Sequence, residues 1–374
     1  MKRVALYNPA WRTMGGGEKY IATIADVLSH SLQFDVTLLA DDTVVIPDRF
    51  RAAFNIPLAQ VHCRYLRPRD IMAVLSAADI AIVVSNFRPL GIRAKKNVFI
   101  LQIPYGPITA GTVLRRALQG RLREIGKDLL RLRLLRNART ADLVLVYSRF
   151  VQETLERCHG VRSEVLYPAI DNFGGKMEKK KFILSVGRIF HGRYNDKRYD
   201  ALIRGFKILC DAGNSQGWEY RIVGNAWNDR QSRSYLTMLR SMAEGYPIRF
   251  FVNSPYAELA GHYREASIFW HGAGFGVDEN QEPERTEHFG MTTVEAMSAG
   301  CVPVVLGKGG QKEIVRDGIS GFLWNSLDEL AERTLSLMGD PSMMARMQQE
   351  ARARYCDFDR PHFQERLMAL IGRL

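Results

Sequence analysis

Two glutamates, Glu287 and Glu295, lie eight positions apart on either side of Gly290. Apolar periodicity predicts a helix over 292–299, so Glu287 belongs to the loop before it and Glu295 to its first turn. Both carboxylates can then face one ligand. Because a carboxylate accepts hydrogen bonds, the pair is typical of a site for a molecule rich in hydroxyl groups, such as a sugar or a ribose.

Glu295 also has a purely structural interpretation. The pattern Thr292-x-x-Glu295 matches a capping box, in which two side chains satisfy the free N–H groups at a helix start without any ligand. The residues alone do not choose between ligand binding and capping. Both interpretations therefore stay open at this point.

Two cations follow the first predicted strand of the second half. The strand ends in Gly187-Arg188, and Lys197 comes nine residues later, just before a predicted helix. Fixed cations at the carboxyl end of a parallel strand suit a diphosphate. The alternative is ordinary solvated surface charge.

A glycine run, Gly15–Gly17, lies where the first strand turns into the first helix. Glycines there let backbone N–H groups approach a phosphate at the positive end of the helix. The run nearly matches a dinucleotide fingerprint, with Asp41 after the second strand, but Tyr20 occupies the third glycine position. A flexible turn is the alternative.

His271 follows another predicted strand and is a further pocket candidate. A single buried histidine more often just satisfies hydrogen bonds of the core. Both interpretations remain open.

Short apolar strands alternate with helices along the whole chain, which is typical of a parallel α/β sheet. Strands are predicted at 4–7, 36–40, 80–84, 98–103, 143–147, 182–186, 220–223, 248–252, 268–270 and 302–306. Helices of the second half are predicted at 199–212, 231–244, 257–265, 292–299 and 327–338. The turn and charged residues after Pro168 predict a boundary, giving domains 1–172 and 173–355 and a C-terminal helix, 356–374, that packs back on the first domain.

Length and composition support this organisation. A chain of 374 residues is long for one domain, and 46% hydrophobic and 25% charged residues exclude wholesale disorder. The apolar runs are too short to span a bilayer, and the N-terminus lacks a cleavage site, so we expect a cytoplasmic protein. The five scattered cysteines suggest neither disulfides nor a zinc site.

The net charge of +12 comes almost wholly from residues 1–170, which hold 25 basic side chains against 14 acidic ones. Residues 115–139 alone carry nine basic residues against two acids, with leucines at helical spacing. Such a basic amphipathic helix can lie on an anionic membrane surface. The alternative is a core-facing helix with a solvated outer side. The segment has no aromatic-rich RNA-binding signature, so we expect no nucleic acid partner.

The segment Glu287–Glu295 resembles the E-x7-E motif of glycosyltransferase family 4, which are retaining enzymes with the GT-B architecture. Three other segments also resemble segments of the family and occur in the same order along the chain: the glycine run, Gly187-Arg188 with Lys197, and Gly309-Gly310. The resemblance implies an α/β fold with two Rossmann-like domains whose parallel sheets face a central cleft.

The resemblance also implies roles for single residues. Arg188 and Lys197 would hold the diphosphate of a nucleotide sugar, Glu287 the hydroxyls of the transferred sugar, and Glu295 the ribose. Backbone N–H groups near Phe289, Gly290, Met291 and Thr292 would bind the phosphates. Gly16 and Gly17 would let the first domain close over the donor, with His271 as a further donor contact.

One position departs from the family pattern. Many relatives have a histidine near the end of the fourth N-terminal strand, where this chain offers Gln102 as the acceptor-side candidate. Asp357-Phe358-Asp359 resembles the D-x-D metal motif of another glycosyltransferase fold, but it precedes the last helix and is interpreted as a decoy. No metal and no cofactor are expected, because fixed cations and a helix start can stabilise a leaving diphosphate.

The expected function is transfer of a hexose, with retention, from a GDP- or UDP-linked sugar to a hydroxyl of a glycan or lipid-linked glycan, as in cell-surface polysaccharide assembly. Glu284–Glu287 and the long insertion Gly272–Arg285 resemble the corresponding parts of mannosyltransferases that use GDP-mannose. We expect the enzyme on the inner face of the cell membrane. Two alternatives are a sugar-nucleotide epimerase of the same fold and a non-catalytic basic scaffold that binds membrane or RNA.

Overall fold

The structure is a computed structural model that describes residues 1–9, 11, 15–41, 47–54, 56–86, 91–120, 122–175, 177–192, 196–213 and 215–374. Its contacts divide the chain into two compact units. The first unit comprises Met1–Ala169 and Pro361–Leu374, and the second comprises Ile170–Arg360. The boundaries proposed from the sequence lie a few residues from these.

The first unit is built on a seven-stranded parallel sheet in the order β3-β2-β1-β4-β5-β6-β7. Its strands are β1 (Arg3–Tyr7), β2 (Asp35–Ala40), β3 (Val61–Tyr65), β4 (Ile80–Val84), β5 (Lys96–Leu101), β6 (Leu143–Val146) and β7 (Glu164–Val165). Its helices are α1 (Gly16–Ser31), α2 (Pro47–Phe54), α3 (Pro68–Ala77), α4 (Ala110–Leu118), α5 (Leu122–Ala138), α6 (Arg149–His159) and α14 (Arg360–Ile371).

The second unit has a six-stranded parallel sheet in the order β10-β9-β8-β11-β12-β13. Its strands are β8 (Lys180–Val186), β9 (Glu219–Gly224), β10 (Ile248–Val252), β11 (Ala266–His271), β12 (Val302–Leu306) and β13 (Phe322–Trp324). Its helices are α7 (Tyr199–Asp211), α8 (Arg230–Ala243), α9 (Tyr256–Glu265), α10 (Met291–Ser298), α11 (Gln311–Ile314), α12 (Leu327–Gly339) and α13 (Pro341–Tyr355).

The central strands are mostly apolar because helices cover both faces of a parallel sheet. Every residue of β4, β11 and β12 is buried. In the second unit, helix α7 adds Leu202, Ile203 and Phe206 to the core beneath β8 and β11. The sequence expectation of two parallel-sheet α/β units is confirmed.

The basic segment and two strands of the first unit differ from expectation. The basic segment is not one helix, because α4 ends at Leu118 and α5 begins at Leu122, with Gly120 between them at a φ of 68°. That left-handed conformation suits glycine and interrupts helical hydrogen bonding. Neither edge strand, β3 nor the two-residue β7, was predicted.

The strand order of each sheet creates a position where ligands bind in this class of fold. In the second unit, the chain direction across the sheet reverses between β8 and β11. Ligands of open α/β sheets occupy the crevice at the carboxyl ends of the strands at such a switch point. Arg188 comes just after β8, and His271 is the last residue of β11, so both predicted residues lie at that point.

Candidate functional site

Three of the predicted residues meet in the second unit. Lys197 Nζ lies 2.5 Å from Glu287 Oε2, and His271 Nε2 lies 2.9 Å from the same oxygen. Lys197 Nζ and His271 Nε2 are 3.2 Å apart. A cation, an imidazole and a carboxylate from three separate segments of sequence thus form one cluster.

Each member is brought to the cluster by a different element. His271 ends β11, Lys197 lies two residues before α7, and Glu287 lies in the loop before α10. Gly187 allows the close packing, because a Cβ there would lie 2.9 Å from the Lys197 Cε atom. The Lys197 side chain therefore lies over the backbone of the residue that precedes Arg188.

Glu287 is held as a carboxylate although it is buried. Burial opposes its ionisation, but the charge of Lys197 and hydrogen bonds from His271 and Lys197 outweigh it and keep the pKa of Glu287 well below its ordinary value. An ionised carboxylate can only accept hydrogen bonds. Glu287 is therefore an acceptor suited to ligand hydroxyl groups.

His271 is held in its neutral form. Burial and the charge of Lys197 lower the pKa of its ring, against the opposing influence of Glu287. When Nε2 donates to Glu287, Nδ1 is left as a buried nitrogen without a hydrogen-bond partner. The histidine is buried, as the core interpretation required, but its partners are the two charged residues of the predicted site.

Arg188, the residue after Gly187, packs against two aromatic side chains. Its guanidinium carbon is 5.5 Å from the ring centre of Phe190 and 5.7 Å from that of Trp227. The two rings stack on each other at 5.6 Å. Arg188 is only half-buried, so its donor groups remain within reach of a solvated ligand such as a phosphate.

The loop before α10 ends in a conformation that requires glycine. Gly290 has a φ of 122°, and a Cβ there would lie 2.8 Å from Gln311 Nε2. Phe289 is buried against Phe358, so the loop is anchored on its apolar side. Met291 and Thr292 form the first turn of α10, where backbone N–H groups lack intrahelical partners.

The capping-box interpretation of Glu295 is wrong. Thr292 lies inside α10 instead of before it, no side chain caps this helix, and the Thr292 hydroxyl has no hydrogen-bond partner. Glu295 instead accepts a hydrogen bond of 2.7 Å from the buried hydroxyl of Tyr263. The half-buried carboxylate is thus oriented by Tyr263, a tyrosine that no sequence motif singles out.

A second loop supports Glu287 from behind. The Gly310 N–H donates to the Glu287 carbonyl at 2.8 Å, and a Cβ on Gly309 would lie 2.2 Å from that carbonyl oxygen. Glu279 fixes this loop by accepting from the Gly309 N–H and from Lys312. The glycine pair was noted in the sequence, whereas Glu279 carried no signal of its own.

The predicted residues of the first unit also lie together. Gly16 begins α1, and a Cβ on Gly17 would lie 3.1 Å from Gln102 Oε1. The Gln102 amide is held by Asn86 at 2.7 Å and by the Tyr147 hydroxyl. Gln102 is thus a fixed group beside the glycine run at the carboxyl edge of the sheet, and its acceptor-side role stays a prediction.

The family model described as "Glycosyl transferases group 1" matches residues 168–354. The chain belongs to this family. The match contains every donor-side residue of the second unit named above.

Curated relatives match about half of this chain. A GDP-Man:Man(3)GlcNAc(2)-PP-Dol alpha-1,2-mannosyltransferase from Xenopus laevis is 26% identical over 227 residues, covering 56% of this chain and 43% of the relative. The Dictyostelium discoideum protein of the same name is 35% identical over 228 residues, covering 56% and 42%. The chain therefore spans less than half the length of these relatives.

Solved structures extend the likeness to the whole chain at the level of fold. Anabaena HepE, solved in complex with UDP-glucose, has a TM-score of 0.70 at 15% identity and covers 100% of both chains. A sucrose-phosphate synthase from Thermosynechococcus elongatus has a TM-score of 0.68 at 14% identity, covering 100% of this chain and 99% of its own. The fold is the α/β GT-B type of glycosyltransferases.

Asp357, in the segment that resembles a metal motif, has a structural partner in this group 1 chain. Its carboxylate is ion-paired with Arg354 at the end of α13. Within the described residues, no group of three or more His, Cys, Asp or Glu side chains is placed to hold a metal ion.

Proposed function

We propose that this group 1 chain is a glycosyltransferase, moving a hexose from a nucleotide diphosphate sugar to a hydroxyl of a glycan or lipid-linked glycan. The observation that carries the proposal is the cluster of Lys197, His271 and Glu287 at the switch point of the second sheet. It combines the groups that such a donor needs: cationic charge for the diphosphate and an ionised acceptor for sugar hydroxyls.

In this proposal the donor diphosphate lies between Arg188, Lys197 and the first turn of α10. As the sugar leaves, negative charge grows on the diphosphate, and fixed cations with helix N–H groups stabilise it without reorganising. Glu287 orients the sugar through its hydroxyls, and Glu295, held by Tyr263, binds the ribose. Gly16 and Gly17 serve the donor, and Gln102 serves the acceptor side.

The donor we propose first is GDP-mannose. The support is that the curated relatives reported above are named as mannosyltransferases using GDP-Man. UDP-glucose is the competing donor, since HepE was solved with it. The two donors differ in base and sugar, and a binding panel separates them directly.

Several finer points are part of the same proposal. We assign the chain to family 4 within group 1, with retention at the anomeric carbon. We expect no cofactor and no metal, because Arg188, Lys197 and the α10 N–H groups supply positive charge at the proposed phosphate position. We place the reaction at the cytoplasmic face of the cell membrane, in assembly of cell-surface polysaccharide.

A thermal-shift panel of UDP, GDP, ADP and their common sugars tests the donor site. A ligand that binds only the folded state at about a hundredfold excess over Kd stabilises it by about 2.7 kcal/mol. We expect one diphosphonucleotide to raise the melting temperature and Arg188→Ala to abolish that rise. The matched control is Arg249→Ala, an exposed arginine at the start of β10, which should leave the rise intact.

Activity assays then separate the alternatives. The proposal is supported if the wild-type chain transfers sugar to an acceptor and the Glu287→Ala, Arg188→Ala double variant does not. Transfer activity that is retained in EDTA supports it as well. An epimer formed from donor alone would favour the epimerase. Absence of any nucleotide shift, or full transfer activity in the double variant, would overturn this assignment.

A further inference from the structure

Helices α4 and α5 carry leucines that no part of the first unit covers. Six apolar residues of the segment recur at helical spacing: Leu114, Leu118, Leu122, Ile125, Leu129 and Leu132. All but Ile125 are exposed, from 42% for Leu132 to 81% for Leu118. The predicted alternative, in which this face packs on the core, is therefore wrong for these leucines.

A different face anchors α5 to the unit. Leu134, Leu135 and Ala138 belong to the core cluster beside β5 and β6. The buried Asp128 on the same side pairs with Arg131 at 3.2 Å. These residues supply the contacts of α5 with the core, so the exposed leucines do not contribute to the packing of the unit.

Exposed cations are interleaved with these leucines. Helical spacing puts Arg133 and Arg136 four and seven residues after Leu129, on the same face. Within the described part of the chain, neither arginine makes an ion pair, and Glu124 is paired with Lys127 at 2.7 Å. The side chains of Arg115 and Arg116, and all of Arg121, lie outside the described residues.

We infer that this leucine–arginine face of α4 and α5 is a docking surface for an anionic lipid bilayer, with the leucines entering the boundary between headgroups and acyl chains. Charge decides the occupant, because a face of one sign interleaved with leucines complements anionic headgroups above an apolar layer. A second copy of the same face would bring like charges together. The inference goes beyond the proposed transfer, since it concerns a surface of the first unit and holds whatever the donor is.

Among the helices that the structure describes, none has the length and apolar content that spanning a bilayer requires. The contact proposed here is therefore peripheral and reversible. It has two separable parts: a salt-sensitive attraction from the arginines and a salt-resistant one from the leucines.

Vesicle flotation of the full chain tests the surface. The probe is vesicles of phosphatidylcholine with about one third phosphatidylglycerol, against pure phosphatidylcholine, at about 50 mM and about 500 mM salt. We expect flotation with the anionic vesicles only. Replacing three leucines (Leu118→Gln, Leu122→Gln and Leu129→Gln) should weaken binding at least about tenfold at either salt.

Matched variants control for hydrophobicity and charge. Ile208→Gln, Met238→Gln and Ile319→Gln remove exposed apolar side chains of the second unit and should leave binding unchanged. Arg133→Gln with Arg136→Gln should weaken binding chiefly at low salt. Arg64→Gln with Arg67→Gln, exposed arginines on and just after β3, makes the same change in net charge and should have little effect.

Three outcomes overturn the inference. The wild-type chain fails to float with anionic vesicles at low salt, or the control variants lose as much binding as the matched ones. In the third, sedimentation without lipid shows that the wild-type chain is a dimer and that the leucine variant is a monomer, while the leucine variant still binds vesicles. That result would assign the face to a second copy of the chain. Because all substituted leucines are exposed, unchanged melting temperatures serve to show that the variants are folded.

Discussion

Lys197 and Glu287 are two buried charges that depend on each other. Their side chains are 14% and 10% exposed, and His271 adds a hydrogen bond to the same carboxylate oxygen. Removing one partner of a buried pair leaves an uncompensated charge, which typically costs about 3–5 kcal/mol. The pair is therefore held together in the free protein, with the carboxylate ionised and the imidazole neutral.

The neutral state of His271 predicts a pH dependence of stability. Its folded pKa is lowered, so below about pH 6.5 the unfolded chain binds a proton that the folded state refuses. Stability should fall as pH decreases below 6.5 toward the folded pKa. Glu287 contributes separately: its stabilisation is present above about pH 4.3 and is lost as pH falls through its lower folded pKa.

Urea unfolding at several pH values between 7.5 and 5 measures this slope. His271→Gln should reduce it by up to about 1.4 kcal/mol per pH unit, the limit for one proton. His159 and His262, whose pKa values are lowered by burial, keep part of the slope in the variant. The exposed His62→Gln should leave it unchanged, and equal slopes for His271→Gln and the wild type would refute the argument.

The types of the site residues were predictable from sequence, but their contacts were not. Arg188 and Lys197 stood out because they follow a predicted strand, and Glu287 because it lies eight residues before Glu295. The pairing of Lys197 with Glu287 spans 90 residues and depends on how three loops converge. The role of Tyr263 could not be predicted, because in sequence a single tyrosine in a helix looks like any core aromatic residue. Only the structure shows the hydrogen bond from its hydroxyl to Glu295.

Helix α10 depends on the glycine at its start. Gly290 has a φ of 122°, a region that side chains disfavour, and a Cβ there would press on Gln311 and Ile314. Both neighbours are fully buried, so neither yields easily. The conformation sets the path of the chain from Glu287 into the helix that carries Glu295.

The same substitution at two glycines should have opposite effects. Gly290→Ala should lower the free energy of unfolding by about 2–4 kcal/mol through backbone strain and overpacking. Gly261→Ala, inside α9 with nothing near the added methyl, should raise it by about 0.5–1 kcal/mol through reduced unfolded-state entropy. Denaturant unfolding of both variants measures the difference, and a neutral Gly290→Ala would contradict the strain argument.

Strands and helices of strong periodicity were predicted well, and the misses have physical causes. Strand β3 is an edge strand with only Val61 buried, so its sequence lacks a buried strand's apolar run. Strand β13 has three residues, too few to show a period. The break at Gly120 was missed because the leucines keep helical spacing on both sides of it.

The first unit is assembled from both ends of the chain. Residues Pro361–Leu374 join Met1–Ala169, so the chain passes between the units twice. Helix α14 buries four apolar side chains there: Phe363, Leu367, Leu370 and Ile371. Tyr20 meets Phe363 edge to face at 5.8 Å, and Arg366 pairs with Glu164 at 2.7 Å. The last helix is thus part of the first unit's fold.

This arrangement predicts that a core substitution in the C-terminal helix α14 destabilises the N-terminal helix α1 as well. Phe363→Ala should destabilise the first unit by about 3–5 kcal/mol, as expected for a buried aromatic cut to a methyl. Hydrogen exchange should then quicken in α1 and α14, while β8 and β11 of the second unit keep their protection. The control Glu365→Ala, on the exposed side of α14, should stay within about 0.5 kcal/mol of wild type. Faster exchange confined to α14, with α1 unchanged, would mean that the helix adds no stability to the rest of the unit.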